Sequence, residues 1–226
     1  MKVIGSWSGG KDACFACYKA KQQGHDLAGL LNFVSKESGR CCFHGIDGRL
    51  LALQADLMGL PVVQKKMSDD MAAYEAEFKT AVCELKHKFG VEGMVFGDIY
   101  LDEHKEWVER VCREAGVQAL EPLWGMPAGD VTRDFLQAGF RAVVVSGKAD
   151  LFKKDIAGRE LDAAFIRELV QKDICPCGEH GEFHTLVVDG PLFRQGLTIT
   201  KAKPVFKQGF WNHWSLDIQA WDIGAR

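Results

Sequence analysis

Ser8, Gly9, Gly10, Lys11 and Asp12 place a hydroxyl, two glycines, a cation and a carboxylate in five consecutive positions. Glycine reaches backbone angles closed to other residues, so successive N–H groups there can turn toward one anion. A helix that starts at this point adds its positive N-terminal end. Lys11 supplies a point charge for phosphate oxygens and Ser8 a hydroxyl donor. Asp12 alone would repel a phosphate, but it becomes useful as a ligand for Mg²⁺, which bridges carboxylates to phosphate oxygens. The spacing differs from GxxxxGK[ST], so this is a phosphate-binding loop of another kind. A bare glycine turn with a solvated Lys-Asp pair would explain neither the composition nor the position.

A second concentration of reactive side chains lies far downstream. Cys175, Cys177, Glu179, His180, Glu182 and His184 fall within ten residues. Thiolate and imidazole are zinc ligands, yet CxC followed by HxxxH is not a familiar zinc spacing. The preferred reading is a substrate loop in which Glu182 orients a nucleophile or takes its proton. Between these groups stand Asp98, His104 and Trp107. His104 and Trp107 suit substrate or nucleotide contact and helix packing equally, while Asp102 and Glu106 belong to a solvated helix face.

The elements that must position these residues alternate through the first half. Strands are expected at Lys2–Trp7, Asp26–Val34, Pro61–Met67, Gly93–Ile99 and Val117–Leu120. Helices are expected at Lys11–Gln23, Leu50–Met58, Asp69–Phe89 and Asp102–Ala115, the third capped by Ser68-Asp69-Asp70. Strands alternating with helices of this length imply parallel β-α-β units, hence a Rossmann-like doubly wound α/β sheet. In such a sheet, ligands gather at the carboxyl ends of the strands, where the Ser8–Asp12 loop falls. The rhythm breaks at Glu121–Asp130, where two prolines and two glycines cluster. Beyond it come a helix (Asp130–Ala138), a strand (FRAVVVSG), a helix (Leu161–Lys172) and three β-rich stretches. The last two of these alternate apolar and polar residues, as half-buried antiparallel strands do. Two domains are therefore expected: residues 1–121, and a smaller α+β domain over 122–226.

Composition narrows the setting. The 226 residues are 47% hydrophobic and 26% charged, enough for a packed core. A formal net charge of −3 gives no reason to expect a nucleic-acid partner or an anionic membrane. The N-terminus lacks a signal-peptide pattern and no apolar run reaches spanning length, so a cytoplasmic location is expected. Eight cysteines are then expected as free thiols. Cys14 and Cys17 share one helix face and suit core packing.

SGGKD after the first strand resembles the SGGxDS signature of the PP-loop ATP pyrophosphatases, the adenine nucleotide alpha hydrolases. HGIDGRLLALQADLMGLPVV, the Leu123-Trp124-Gly125 segment and GEHGEFHTLVVDGPLF are similar to the diphthine–ammonia ligase family, over nearly the whole chain. The resemblance implies ATP and Mg²⁺ as cofactors. Ser8, Gly9, Gly10, Lys11 and Asp12 would hold the phosphates, with Asp12 toward the metal and Lys11 and Asp12 catalytic. Phe33 would present its backbone to adenine, His44 would lie near the nucleotide, and Gly97 would pass under the ribose and α-phosphate beside Asp98. Glu182 would be the third catalytic residue, and Trp124, Glu179, His104 and Trp107 would face the acceptor.

Three departures stand out. Ala13 replaces the last serine of the loop signature. CGEHGEFHT stands where the family has EGGEFET. Gly97–Cys112 looks like a bacterial branch, which implies an acceptor other than diphthine. The expected reaction is adenylation of a carboxylate, giving AMP and pyrophosphate, then amide formation with ammonia or an amine, with the acceptor enclosed between the two domains. A homodimer is compatible with the chain. A thiolation enzyme of the same superfamily and a non-catalytic ATP-binding regulator are the alternatives.

Overall fold

The computed structural model describes residues 1–41, 44–67, 71–209 and 211–224. By compactness the chain divides into Met1–Ser8 with Asp12–Gly125, and Gly9–Lys11 with Met126–Arg226.

In the first unit, β1 (Lys2–Ser6), β2 (Asp26–Ser35), β3 (Val62–Met67), β4 (Gly93–Val95) and β5 (Gln118–Leu120) form one sheet. All pairs are parallel and the order is β3-β2-β1-β4-β5. The chain turns back on itself between β1 and β4, so the loops that follow these two strands flank the switch point where such sheets take ligands. The helices are α1 (Lys11–Gln22), α2 (Gly48–Met58), α3 (Met71–Phe89) and α4 (Asp102–Ala115). β2 reads DLAGLLNFVS and is buried almost throughout, as a strand covered on both faces must be. One core joins Ile4, Leu31, Phe33 and Met94 of the sheet to Phe78, Val82, Val108 and Val111 of α3 and α4.

Two elements of this unit, α2 and β4, differ notably from the sequence reading. Helix α2 begins two residues earlier, because the Asp47 side chain accepts the Arg49 N–H and caps it. Strand β4 is only three residues long. Phe96 still donates to the Leu120 carbonyl, but Gly97 then turns in against the first turn of α1. The proposed cap Ser68-Asp69-Asp70 lies outside the described residues.

The second unit is built on an antiparallel sheet ordered β7-β6-β9-β8. Its strands are β6 (Arg141–Lys148), β7 (Phe183–Asp189), β8 (Gly196–Lys207) and β9 (His213–Gly224). Helices α5 (Ala128–Gln137) and α6 (Ala163–Gln171) accompany it. Helix α5 starts two residues before the expected Asp130, just after Pro127, whose fixed φ suits a helix entry. The core is rich in phenylalanine. Phe135 stacks on Phe140 at 4.9 Å, and Phe183 meets Phe165 edge-on at 5.5 Å. A Cβ at Gly190 would lie 2.1 Å from the Phe140 ring, so this turn needs glycine.

Among the described residues, no helix is long and apolar enough to cross a membrane. The seven described cysteines carry free thiols. Burial raises the Cys14 thiol well above its ordinary range and pushes Cys17 up to about 12, which makes both inert as nucleophiles.

Candidate functional site

The Ser8–Asp12 loop emerges from β1, whose end is fixed by a buried polar network. Trp7 donates its backbone N–H to Leu31 O (2.7 Å) and its indole N–H to Gln54 Oε1 (3.2 Å). Asn32, fully buried, donates to Trp7 O at 2.8 Å and accepts from Gln64 at 3.0 Å. Buried polar groups paired this completely hold a backbone in one place. None of Asn32, Gln54 or Gln64 was singled out from sequence. An asparagine inside the apolar run LLNFV is the signal that could have found the network.

Gly9 has φ +81, the left-handed region that favours glycine. Gly9, Gly10 and Lys11 group with the second unit. There Val187 N–H donates to Gly9 O at 2.9 Å, and Lys11 N–H donates to Thr185 Oγ1 at 3.0 Å. The Lys11 side chain is buried, donates its ammonium to Cys177 O and lies 5.3 Å from the centroid of the Phe183 ring. A buried ammonium needs such partners. Ser8 is half-buried at the start of the loop, and Asp12 stands in the first turn of α1.

Within the first unit, the loops after β4 and β5 converge. A Cβ at Gly97 would lie 2.6 Å from the Asp12 carbonyl carbon and 2.7 Å from Ala13 N. Only glycine lets this strand end approach α1 so closely, which brings Asp98 and Asp12 into one neighbourhood. Asp98 Oδ1 lies 3.2 Å from His104 Nδ1. Gly125 N–H donates to Ile99 O at 2.8 Å and so pins the Glu121–Gly125 turn beside that loop. Trp124 takes the Lys105 ammonium over its ring at 4.4 Å.

Glu121, which the sequence reading passed over, also belongs here. Its Oε1 is buried without a hydrogen-bond partner among the described residues. Desolvation, reinforced by Asp98 and Glu109 and opposed by Lys105, pushes its carboxyl up to about 7.

Other expected positions are packed differently. Phe33 is buried against Phe78 (5.5 Å) and Tyr74 (5.9 Å), which leaves its backbone as the part able to serve a ligand. Trp107 packs on Phe78 at 5.1 Å and donates its indole N–H to Glu75. Helix packing thus accounts for its placement. His44 is half-buried in the turn between β2 and α2.

The closing motif folds as a tight loop before β7. Gly178 and Gly181 both have positive φ (67 and 75). Glu182 is buried, and its Oε2 accepts the His180 N–H at 3.0 Å, so this carboxylate also shapes the loop. Lys148 Nζ donates to His180 O at 2.9 Å. Cys177 Sγ donates to Ala128 O at 3.2 Å. Glu179 is half-buried in the same loop. Burial, then the charges of Lys11, His213 and Lys148, hold the His184 imidazole down at about 4. His184 is therefore neutral at physiological pH.

Among the described residues no group of three His, Cys, Asp or Glu side chains gathers as a metal site. One protein carboxylate such as Asp12 suits an ion that takes most of its ligands from water and phosphate.

Comparison with known proteins adds the family context. The diphthamide synthase N-terminal domain matches residues 1–119 and the diphthamide synthase C-terminal domain residues 128–218. Proteins named diphthine–ammonia ligase align along the chain. That of Danio rerio is 26% identical over 91% of this chain and 89% of its own length. That of Homo sapiens is 27% identical over 91% and 85%. That of Schizosaccharomyces pombe is 25% identical over 91% of this chain but 37% of its own length. A solved chain described as a predicted subunit of tRNA methyltransferase from Methanocaldococcus jannaschii superposes with a TM-score of 0.47 at 15% identity, covering 84% of this chain and 98% of that one.

Proposed function

The chain belongs to the diphthamide synthase family, and from that membership we propose that it is an ATP-dependent ligase that adenylates a carboxylate and passes the acyl group to ammonia or an amine. The observation that carries the reading is that both family domains match, one containing the Ser8–Asp12 loop and the other the Glu179–His184 loop.

The carboxylate oxygen of the acceptor attacks the α-phosphorus of ATP, and the bond to the pyrophosphate oxygen breaks. Backbone N–H groups of Gly9 and Gly10, the first turn of α1 and the Lys11 ammonium would receive the charge that builds on the leaving group. Electrostatic stabilisation of this kind usually supplies the largest part of the rate. Mg²⁺, when bound, would neutralise phosphate charge, with Asp12 as its protein ligand. Ala13 removes one hydroxyl from the loop and leaves the backbone donors intact. Phe33 would offer its backbone to adenine. Gly97 and Asp98 would border the ribose and α-phosphate, and His44 the nucleotide. Glu182 would take the proton of the attacking amine, with Glu179, His104, Trp107 and Trp124 toward the acceptor.

Ammonia then attacks the acyl carbon, AMP leaves and an amide remains. The relatives' name points to diphthine and the Gly97–Cys112 segment to another acceptor, so the series sets diphthine beside small carboxylic acids.

The test is pyrophosphate release with ammonium and this acceptor series, beside calorimetric titration of ATP. Glu182→Gln keeps the shape and an acceptor oxygen for His180 N–H, and loses only charge and basicity. The expected outcome is intact ATP binding with blocked product formation. Parallel loss of ATP affinity would move Glu182 to the nucleotide site. Sulfur transfer with AMP release would favour the thiolation enzyme, and ATP binding without turnover the non-catalytic regulator.

A further inference from the structure

The Ser8–Asp12 loop leaves the parallel sheet at Trp7, and a buried side-chain amide stands at the point of departure. The last β1–β2 pair is Ser6 with Leu31, and Trp7 N–H still donates to Leu31 O at 2.7 Å. In a regular parallel ladder the Trp7 carbonyl would next accept the Phe33 N–H. Asn32 takes that carbonyl instead, with its side-chain Nδ2 at 2.8 Å. The ladder therefore ends at Trp7, immediately before the loop.

Donors and acceptors fix one another here. Gly48 O can only accept, so the Gln64 atom 2.8 Å from it is the amide nitrogen. Gln64 Nε2 also donates to Asn32 at 3.0 Å, which turns the Asn32 oxygen to Gln64 and its nitrogen to Trp7. Asn32 Nδ2 reaches Cys41 Sγ as well, at 3.7 Å. Trp7 in turn donates its indole N–H to Gln54, and Trp7, Asn32 and Gln54 are all buried. Stability alone does not call for this arrangement. A buried amide regains in hydrogen bonds little more than it loses in hydration, and an apolar side chain would serve the LLNFV run as well. What the amide supplies is a fixed position, since Asn32 can face Trp7 in one orientation only.

We propose that Asn32, oriented by Gln64, is a positioning residue for the Ser8–Asp12 loop: it holds the Trp7 carbonyl in place of a further ladder bond and so fixes where the loop leaves the sheet. The inference rests on the reading of that loop as the phosphate site. Phe33 is held independently by its pairing with Lys65 of β3, so the network acts on the phosphates and not on the base.

Calorimetric titration of the full chain with ATP and with pyrophosphate, both with Mg²⁺, tests it in Asn32→Leu and Gln64→Leu. Asn32→Leu keeps the volume and removes the bond to Trp7 O. Gln64→Leu acts at an exposed position of the edge strand β3 and frees the Asn32 amide to turn, so it carries the test if Asn32→Leu does not fold. A misplacement of about 1 Å costs up to about 100-fold in a positioned site. With one end of the loop released, both ligands should bind about tenfold more weakly to Asn32→Leu and about threefold more weakly to Gln64→Leu. Circular dichroism should show both variants folded. Wild-type affinity for pyrophosphate in the folded variants would reduce the network to packing and overturn the proposal. So would a loss confined to ATP, which would place the network at the base. A wild-type chain that binds neither ligand would remove the phosphate-site reading itself, and the proposal with it.

Discussion

The carboxyl end of the parallel sheet and the corner of the antiparallel unit that holds Lys11 treat charge in opposite ways. At the first, Glu121 is pushed up to about 7 and approaches neutrality by keeping a proton. At the second, His184 is pushed down to about 4 and becomes neutral by losing one. Desolvation is the leading cause in both, so the sign follows from which protonation state carries charge. Lys11 is the exception that teaches most. It is buried beside His184, and its ammonium is held by Cys177 O and the face of Phe183. Lys11 thus keeps its charge with two partners, while burial leaves the neighbouring His184 uncharged.

The largest effect should come from Lys11→Ala. On the scale of one lost charge-stabilising donor, pyrophosphate release should fall on the order of 100-fold or more. Thermal unfolding measured beside it separates lost chemistry from lost packing. Unchanged ATP consumption in a folded variant would remove Lys11 from the phosphate site.

Gly97→Ala sharpens the other half of the comparison. A Cβ 2.6 Å from the α1 backbone must displace the β4 loop or the helix. Overpacking of this kind costs about 1–3 kcal/mol, which urea denaturation would read. ATP affinity should fall with it, since Asp12 and Asp98 share that junction. Wild-type stability in the variant would mean that the junction is looser than its geometry.

The pH dependence follows from the two titrating groups. Glu121 has a folded value raised to about 7 from 4.5, so its contribution to stability is full below about 4.5 and is lost as pH rises toward 7. His184 has a folded value lowered to about 4 from 6.5, so its contribution is present above 6.5 and is lost as pH falls toward 4. Glu121→Gln should flatten the neutral-side decline, and His184→Gln the acid-side decline. Unfolding midpoints from pH 4 to 8 check both. Identical pH slopes in wild type and variants would break the contrast drawn above.

The smallest expected change in function is that of Phe33→Leu. The ring packs on Phe78 and Tyr74, so the variant should lose about 1 kcal/mol of stability and keep ATP affinity within about twofold. Loss of preference for ATP over GTP would assign the side chain a direct role.

The parallel sheet was legible because its information is local. Apolar runs such as LAGLLNFV, helices of matching length between them and the position of SGGKD each lie within a short window. The order β3-β2-β1-β4-β5 then follows the ordinary rules of β-α-β winding. The closing motif was legible as a concentration of reactive residues, but its loop geometry was not. That Glu182 accepts the His180 N–H depends on two glycines at positive φ, and each φ is set by the folded turn.

The sequence by itself determined the fold class, the place of the Ser8–Asp12 loop at the end of β1 and the family motifs, since each rests on residue type and short spacing. Tertiary structure alone decided that Lys11 meets Cys177 O, that Glu121 loses water beside Asp98 and Lys105, and that Lys148 lies over the Trp211 ring. Lys11 and Cys177 are 166 positions apart, and solvent exposure depends on every segment packed nearby. Burial and long-range pairing are properties of the whole folded chain, so no window of sequence contains them.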